Sequence, residues 1–326
     1  MPEDILYSIQ NLDVAYQTRS GPVRAVDNVS FEIRRGEILG LVGESGCGKS
    51  TLGKALMRLQ SGPARITGGA LYFDGRDLMT FSEKQMQHVR GAEIGMVFQD
   101  PMTSLNPVQR ILDHLTETIH THEPTVSPAA ARARAGELVE RLGIRRERLN
   151  EYPHQLSGGM RQRVMISLAL ALRAKLIIAD EPTTSLDVIV EAKFLDLLKE
   201  LQKEFGLTIL MITHNIGVVA EVADRVAVMY AGKMAEVGDV RAVFADPKHP
   251  YTQGLLKSVP NITLDGAELY KMKGAPPNLL HPPGGCRFHP RCPFVMDVCR
   301  DNEPAFEPVQ GDHLASCWLY QEHAHA

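Results

Sequence analysis

The feature that most constrains this chain is the run Gly43-Glu44-Ser45-Gly46-Cys47-Gly48-Lys49-Ser50-Thr51. It follows Ile38 to Val42, which is apolar apart from one glycine, as a strand buried on both faces should be. It opens a segment from Lys49 to Leu59 that reads as a helix. Strand, glycine-rich loop and helix in that order fit a phosphate-binding loop. Glycines let successive backbone N–H groups turn inward, and the helix N-terminus adds partial positive charge. The residues expected around a bound nucleotide are therefore Gly43, Ser45, Gly46, Cys47, Gly48, Lys49, Ser50 and Thr51. Lys49 is expected to reach the β- and γ-phosphates and Ser50 to ligate Mg²⁺.

The rest of the pattern predicts an α/β fold with a mostly parallel sheet. Leu176 to Ala179 and Thr208 to Ile212 are two more buried strands, on either side of a helix from Val188 to Phe205. That helix places Phe194, Leu197, Leu201 and Phe205 on one face, with Gly206 positioned to cap it. Such a strand, helix and strand make a βαβ unit. Ahead of the loop, Ile5 to Ile33 reads as strands joined by a turn at Ser20, Gly21 and Pro22, an antiparallel β subdomain. Between Pro107 and Pro153 the strand signals stop and a helical insert appears, with Ser127 and Pro128 as N-cap and first residue of a helix reaching about Leu142. A hairpin is expected at Ala231 and Gly232, then a short helix from Val240 to Phe244.

The 326 residues exceed what one hydrophobic core usually serves, so one domain of about 250 residues plus something smaller is expected. Past Asp246 the chain turns rich in Pro, Gly, His and Cys, which sets the division at 1–246 and 247–326, with a helical subdomain at about 107–160. A net charge of −4 offers no general footprint for nucleic acid, so no nucleic-acid partner is expected. The start of the chain, Met1 to Tyr7, has no secretory pattern, and a cytoplasmic location is expected. The most apolar stretch, Val164 to Leu172, is interrupted by Ser167 and falls well short of the ~20 residues a membrane helix needs.

Asp180 and Glu181 are adjacent acids at the end of the second buried strand, on the carboxyl edge where open α/β sheets bind ligands. Asp180 is placed to hold Mg²⁺ through water, and Glu181 to polarise an attacking water as general base. The segment Leu156-Ser157-Gly158-Gly159-Met160 resembles the signature sequence of ABC-type ATPases, LSGGQ in most members. In that family ATP is sandwiched between the phosphate loop of one subunit and the signature of another. The resemblance thus implies a dimer with Ser157, Gly158, Gly159 and Asp187 acting across it. It further implies that Gln99 is the Q-loop glutamine, a ligand of Mg²⁺ or of the attacking water, that His214 is the switch histidine at the γ-phosphate, and that Tyr16 is the aromatic stacked on adenine. The chain departs from the common pattern at Met160 and at Asn215, where aspartate is frequent; neither change removes a group that hydrolysis needs.

His249-Pro250-Tyr251-Thr252-Gln253-Gly254-Leu255-Leu256 is similar to the segment opening the C-terminal extension of ATP-binding subunits of oligopeptide and dipeptide importers, a group that also serves nickel, glutathione and some sugar systems. Asp100-Pro101-Met102-Thr103-Ser104-Leu105-Asn106-Pro107 extends the likeness. It implies an ATPase that powers import by dimer closure on the cytoplasmic face of the inner membrane. Its partners are then a second, identical or related ATPase subunit, two permease subunits and, indirectly, an extracytoplasmic solute-binding protein. An exporter subunit and a non-hydrolysing metal or redox regulator remain as alternatives. Cys286, Cys292, Cys299 and Cys317 are separated by five, six and seventeen residues. Zinc sites favour a closer pair, and the compartment disfavours disulfides. Some importers of this group carry a [4Fe–4S] cluster, which makes these four cysteines its expected ligands, with zinc or no metal as alternatives. Arg287, Arg291 and Arg300 are expected to lower the thiol pKa values.

Overall fold

The computed structural model describes residues 2–60, 62–99, 104–184, 186–258 and 272–321. In chain order, β1 (Ile5–Thr18) and β2 (Gly21–Arg34) form the hairpin expected from the Ser20-Gly21-Pro22 turn. The apolar run is β3 (Ile38–Val42), buried throughout, and the glycine loop leads into α1 (Lys49–Leu56). That helix stops three residues short of the predicted Leu59, because Arg58 takes a left-handed φ of 51° and Leu59 N–H turns back to Lys54 O. Then come β4 (Ala64–Phe73), β5 (Arg76–Asp77), α2 (Glu83–Ala92) and β6 (Ile94–Val97). The helical insert contains α3 (Ile111–His122) and α4 (Pro128–Arg141), the latter capped by Ser127 Oγ, which accepts from Ala130 N–H. Next are α5 (Gly158–Leu170), β7 (Leu176–Asp180), α6 (Val188–Phe205) and β8 (Thr208–Thr213). After α7 (Ile216–Val222), the hairpin at Ala231 and Gly232 joins β9 (Arg225–Tyr230) to β10 (Lys233–Asp239), followed by α8 (Val240–Ala245) and α9 (Pro250–Lys257). The cysteine-rich segment adds α10 (Val298–Asp301), β11 (Glu307–Gln310) and β12 (His313–Ala315).

The chain divides into two compact units. The first comprises 1–34, 38–79 and 212–326. It holds the antiparallel sheet β2-β1-β4-β5 and a mixed sheet ordered β11-β12-β10-β9-β3, in which β3 and β9 run parallel and β9 and β10 antiparallel. The extension therefore joins this unit by pairing β12 on β10, Ala315 opposite Glu236. The second unit comprises 35–37 and 80–211. There β7 lies between β6, its parallel partner, and β8, and α6 crosses from β7 to β8 as the βαβ pattern requires.

Helix α6 buries a different stripe from the one predicted. Phe194, Leu195, Leu198 and Leu201 are in the core, while Phe205 is 41% exposed, under the Arg141 guanidinium at 5.3 Å. Gly206 caps the helix in the left-handed conformation at φ 60°, as expected. Among the described residues no helix is long and apolar enough to cross a membrane.

Candidate functional site

In the first unit the phosphate loop is a chain reversal that only glycine fits at its tightest point. Gly48 has φ +109°, and a Cβ there would stand 2.1 Å from Ala25 O. Lys49, though charged, is buried; its Nζ donates to Gly43 O at 2.8 Å and Glu44 O at 3.1 Å, closing a ring around the loop. Ser45 and Gly46 are exposed and Ser50 is half-buried, a hydroxyl of the oxygen type that Mg²⁺ takes. Thr51 Oγ1 lies 2.9 Å from Tyr16 Oη, which ties β1 to the first turn of α1. Cys47 is buried, and that burial raises its thiol pKa. His214, also in this unit, is exposed just after β8. Asn215 Oδ1 accepts from Gly217 N–H at 3.0 Å and caps α7, a task that an aspartate side chain would also perform.

In the second unit the parallel register sets Val97 against Ala179, so the residues just beyond both strands emerge at one sheet edge. Gln99 Nε2 donates to Glu181 Oε2 at 3.0 Å, and Thr184 Oγ1 donates to the same oxygen at 3.0 Å. Glu181 holds φ +47°, which for a non-glycine residue is strained, while Asp180 beside it is buried. Elsewhere in this unit Ser157 is the N-cap of α5, its Oγ accepting from Met160 N–H at 3.4 Å, and Asp187 caps α6, accepting from Val190 N–H at 3.0 Å. Ser157, Gly158, Gly159, Met160, Asp187, Arg163 and Lys193 line one open pocket. Two helix N-termini and two cationic side chains give it the polarity of an anion site. Asp100 to Thr103 and Ser185, parts of two motifs read from the sequence, lie outside the described residues.

The four late cysteines come together: Cys286, Cys292, Cys299 and Cys317 line one small cavity walled by Phe288, Phe294, Met296 and Trp318. Cys286 N–H donates to Cys299 O at 2.9 Å. Among the described residues, however, no three His, Cys, Asp or Glu side chains are placed closely enough to grip a metal ion. The expectation that arginines lower the thiol pKa values is overturned. Burial raises Cys286 to about 11 and Cys317 to about 12, and raises Cys292 as well. Arg287 is instead paired with Asp27 and Ala231 O, Arg291 with Glu44, and Arg300 is exposed.

The part that Glu44, Tyr251 and Arg291 play together at the loop was not read from the sequence. Glu44 occupies a variable position of the loop; its N–H donates to Tyr251 Oη at 2.8 Å and its carboxylate takes both terminal nitrogens of Arg291, at 2.7 and 2.9 Å. No local signal could have found pairs 207 and 247 residues apart.

A phosphate loop, a strand-end acid pair, a Gly-Gly helix start and a helical insert define the ATP-binding cassette of ABC-type ATPases, and the comparisons agree. The family "ABC transporter" matches residues 26–184, and the family "Oligopeptide/dipeptide transporter, C-terminal region" matches 235–299. The chain is 48% identical over 320 residues, 97% of its length and 95% of the relative's, to the dipeptide transport ATP-binding protein DppD of Bacillus subtilis. It is 46% identical, over 97% of its length and 94% of the relative's, to the oligopeptide transport ATP-binding protein OppD of Salmonella typhimurium. The dimeric post-hydrolysis structure of the ATP-binding cassette MJ0796, bound to ADP and Pi, superposes with a TM-score of 0.65 at 30% identity, covering 72% of this chain and 99% of that one. The chain belongs to the ATP-binding proteins of oligopeptide and dipeptide ABC transporters.

Proposed function

We propose that this chain is the ATP-hydrolysing subunit of an importer for dipeptides or oligopeptides. What carries the reading is similarity along almost the whole chain, extension included, to proteins named for that transport. The subunit sits at the cytoplasmic face of the membrane, with a second ATPase subunit and two permease subunits, and the solute arrives through an extracytoplasmic binding protein.

In the proposed mechanism Lys49 exchanges its contacts with Gly43 O and Glu44 O for phosphate oxygens, which are better acceptors for an ammonium. The loop amides from Ser45 to Thr51 hold the remaining phosphate charge, Tyr16 stacks on adenine, and Ser50 and Gln99 serve as Mg²⁺ ligands with Asp180 acting through water. Bound Mg²⁺ supplies charge neutralisation at the β- and γ-phosphates. Glu181, oriented by Gln99 and Thr184, accepts the proton of the attacking water. His214 and, across the dimer, Ser157, Gly158, Gly159 and Asp187 stabilise the charge on the γ-phosphate. ATP binding closes the dimer and hydrolysis reopens it, which drives the permeases.

The four extension cysteines are assigned to a [4Fe–4S] cluster, zinc being the alternative. Support comes from four soft donors that line one apolar-walled cavity. Iron and acid-labile sulfide analysis of anaerobically purified protein tests this, and finding neither removes the cluster. The transport reading is tested by co-expression with candidate peptide-permease subunits and reconstitution with a peptide-loaded binding protein. Peptide-stimulated ATP hydrolysis is the expected result, and stimulation by nickel or a sugar alone reassigns the solute.

A further inference from the structure

Glu44 poses an electrostatic problem. It places a carboxylate on the second residue of a loop whose task is to attract a polyphosphate, and like charges at close range oppose binding. Its backbone N–H needs an acceptor as well. The C-terminal extension deals with both. Arg291 Nη1 and Nη2 grip the two oxygens of Glu44 at 2.7 and 2.9 Å, and Tyr251 Oη holds the Glu44 N–H at 2.8 Å. The Arg291 side chain is only 5% exposed and that of Glu44 25%, so this is a sheltered, bidentate pair rather than a solvated surface contact.

The guanidinium is itself anchored. Nη1 also donates to Tyr230 Oη at 3.2 Å and Nε to Lys273 O at 3.1 Å, and the plane lies over Tyr230 at 5.7 Å and Phe288 at 6.0 Å. Tyr230, Tyr251 and Phe288 pack mutually with centroids 4.5 to 5.5 Å apart. Arg291 ends a single helical turn strung between two of the cavity cysteines, where His289 N–H donates to Cys286 O and Cys292 N–H to His289 O.

We propose that Arg291 is a positioning residue of the phosphate loop. By neutralising Glu44 and fixing it beside Tyr251, it lets the cysteine-rich extension set the affinity for nucleotide. The inference rests on the reading of Gly43 to Thr51 as the nucleotide loop, and the test separates the two.

Binding of Mg·ADP to the full chain is measured by titration calorimetry for the wild type, Arg291→Ala, Glu44→Gln and the double variant. Arg291→Ala is expected to raise Kd about tenfold, the scale of typical site-to-site coupling. In the Glu44→Gln background, where there is no charge left to neutralise, the same substitution is expected to shift Kd by less than about twofold. Arg291→Lys, which keeps the charge but not the fork, recovers part of the loss. A merely structural arginine would weaken binding equally in both backgrounds, and that result overturns the proposal, as does an unchanged Kd for Arg291→Ala. Failure of the wild type to bind Mg·ADP overturns the nucleotide reading instead. Should Arg291→Ala not fold, Arg291→Gln completes the same cycle.

Discussion

Glu181 is under two demands that pull against each other, and substitution separates them. Its backbone sits at φ +47°, a conformation that a side chain with a Cβ adopts at a cost of about 1–2 kcal/mol. Against that, Oε2 accepts from Gln99 Nε2 and Thr184 Oγ1, solvent-facing bonds worth about 0.5–1 kcal/mol each. Glu181→Gly releases the strain and forfeits both bonds, so the two changes nearly cancel and stability should move by no more than about 1 kcal/mol. Glu181→Gln keeps the strain and an acceptor oxygen, and should be equally well folded. Both lose the base, whose removal lowers turnover by about 10²- to 10⁴-fold. Urea denaturation, Mg·ATP binding and phosphate release would be measured on the same preparations, with folding and binding retained and turnover lost. Turnover within tenfold of the wild type in either variant would refute the assignment of Glu181 as base. A loss of several kcal/mol in Glu181→Gly would refute the claim that its backbone is strained.

Gly48→Ala puts a methyl group 2.1 Å from Ala25 O at φ +109°, and should destabilise the chain by about 2–4 kcal/mol and abolish nucleotide binding, read by calorimetry. Asp27→Asn strips the buried Arg287 of its counter-charge and should cost about 3–5 kcal/mol in urea unfolding, with Asp27→Leu/Arg287→Met together costing much less than the sum of the singles. His249 is buried and its pKa is lowered to about 4 from 6.5, chiefly by desolvation. The unfolded chain therefore takes up the proton first as pH falls, and stability present above 6.5 should decline by about 3 kcal/mol towards pH 4, at about 1.4 kcal/mol per unit. A flat acid profile in the wild type, or an unaltered slope in His249→Gln, would contradict this.

The elements that were legible in the sequence are those whose cause is local. Burial on both faces makes β3, β7 and β8 uniformly apolar, and a left-handed Gly206 ends α6 where a glycine follows the last turn. Within α6 the stripe was misplaced because Phe194, Leu195, Leu197 and Leu198 offer two adjoining apolar rows. Only packing decides between them, and it leaves Phe205 to Arg141 on the surface. The placement of the candidate site residues followed the same division. Lys49, Asp180 and Glu181 are dictated by strand ends and loop glycines a few residues away. The arginines near the cysteines have partners, Asp27 and Glu44, 260 and 247 residues distant, so their charges go to the loop and its neighbouring hairpin and not to the thiols.

That redirection explains how an irregular extension holds together at all. Among the described residues from 272 to 321, Phe288 is the only large aliphatic or aromatic side chain that is fully buried, far too little apolar surface for an independent core. Its order must come from attachment, and the attachments are specific. His313 Nε2 meets the buried Glu236 at 2.6 Å, while the other oxygen of Glu236 accepts from His249 N–H at 2.9 Å. Arg287 reaches Asp27, whose N–H donates to Gly232 O, and Gly232 N–H in turn donates to Cys47 O within the phosphate loop. Arg291 reaches Glu44 directly. Two of these ties thus lead to the loop, Arg291 directly and Arg287 by way of Asp27 and Gly232, while Arg34–Asp312 and Lys233–Glu303 fasten the extension to β2 and β10. The share of its order that comes from gripping the loop restrains the loop in return, because coupling between two sites is reciprocal. On the proposed reading, the cysteine-rich extension therefore helps to hold the loop from Gly43 to Thr51 in place, through Arg291 on the Glu44 carboxylate and Tyr251 on its N–H.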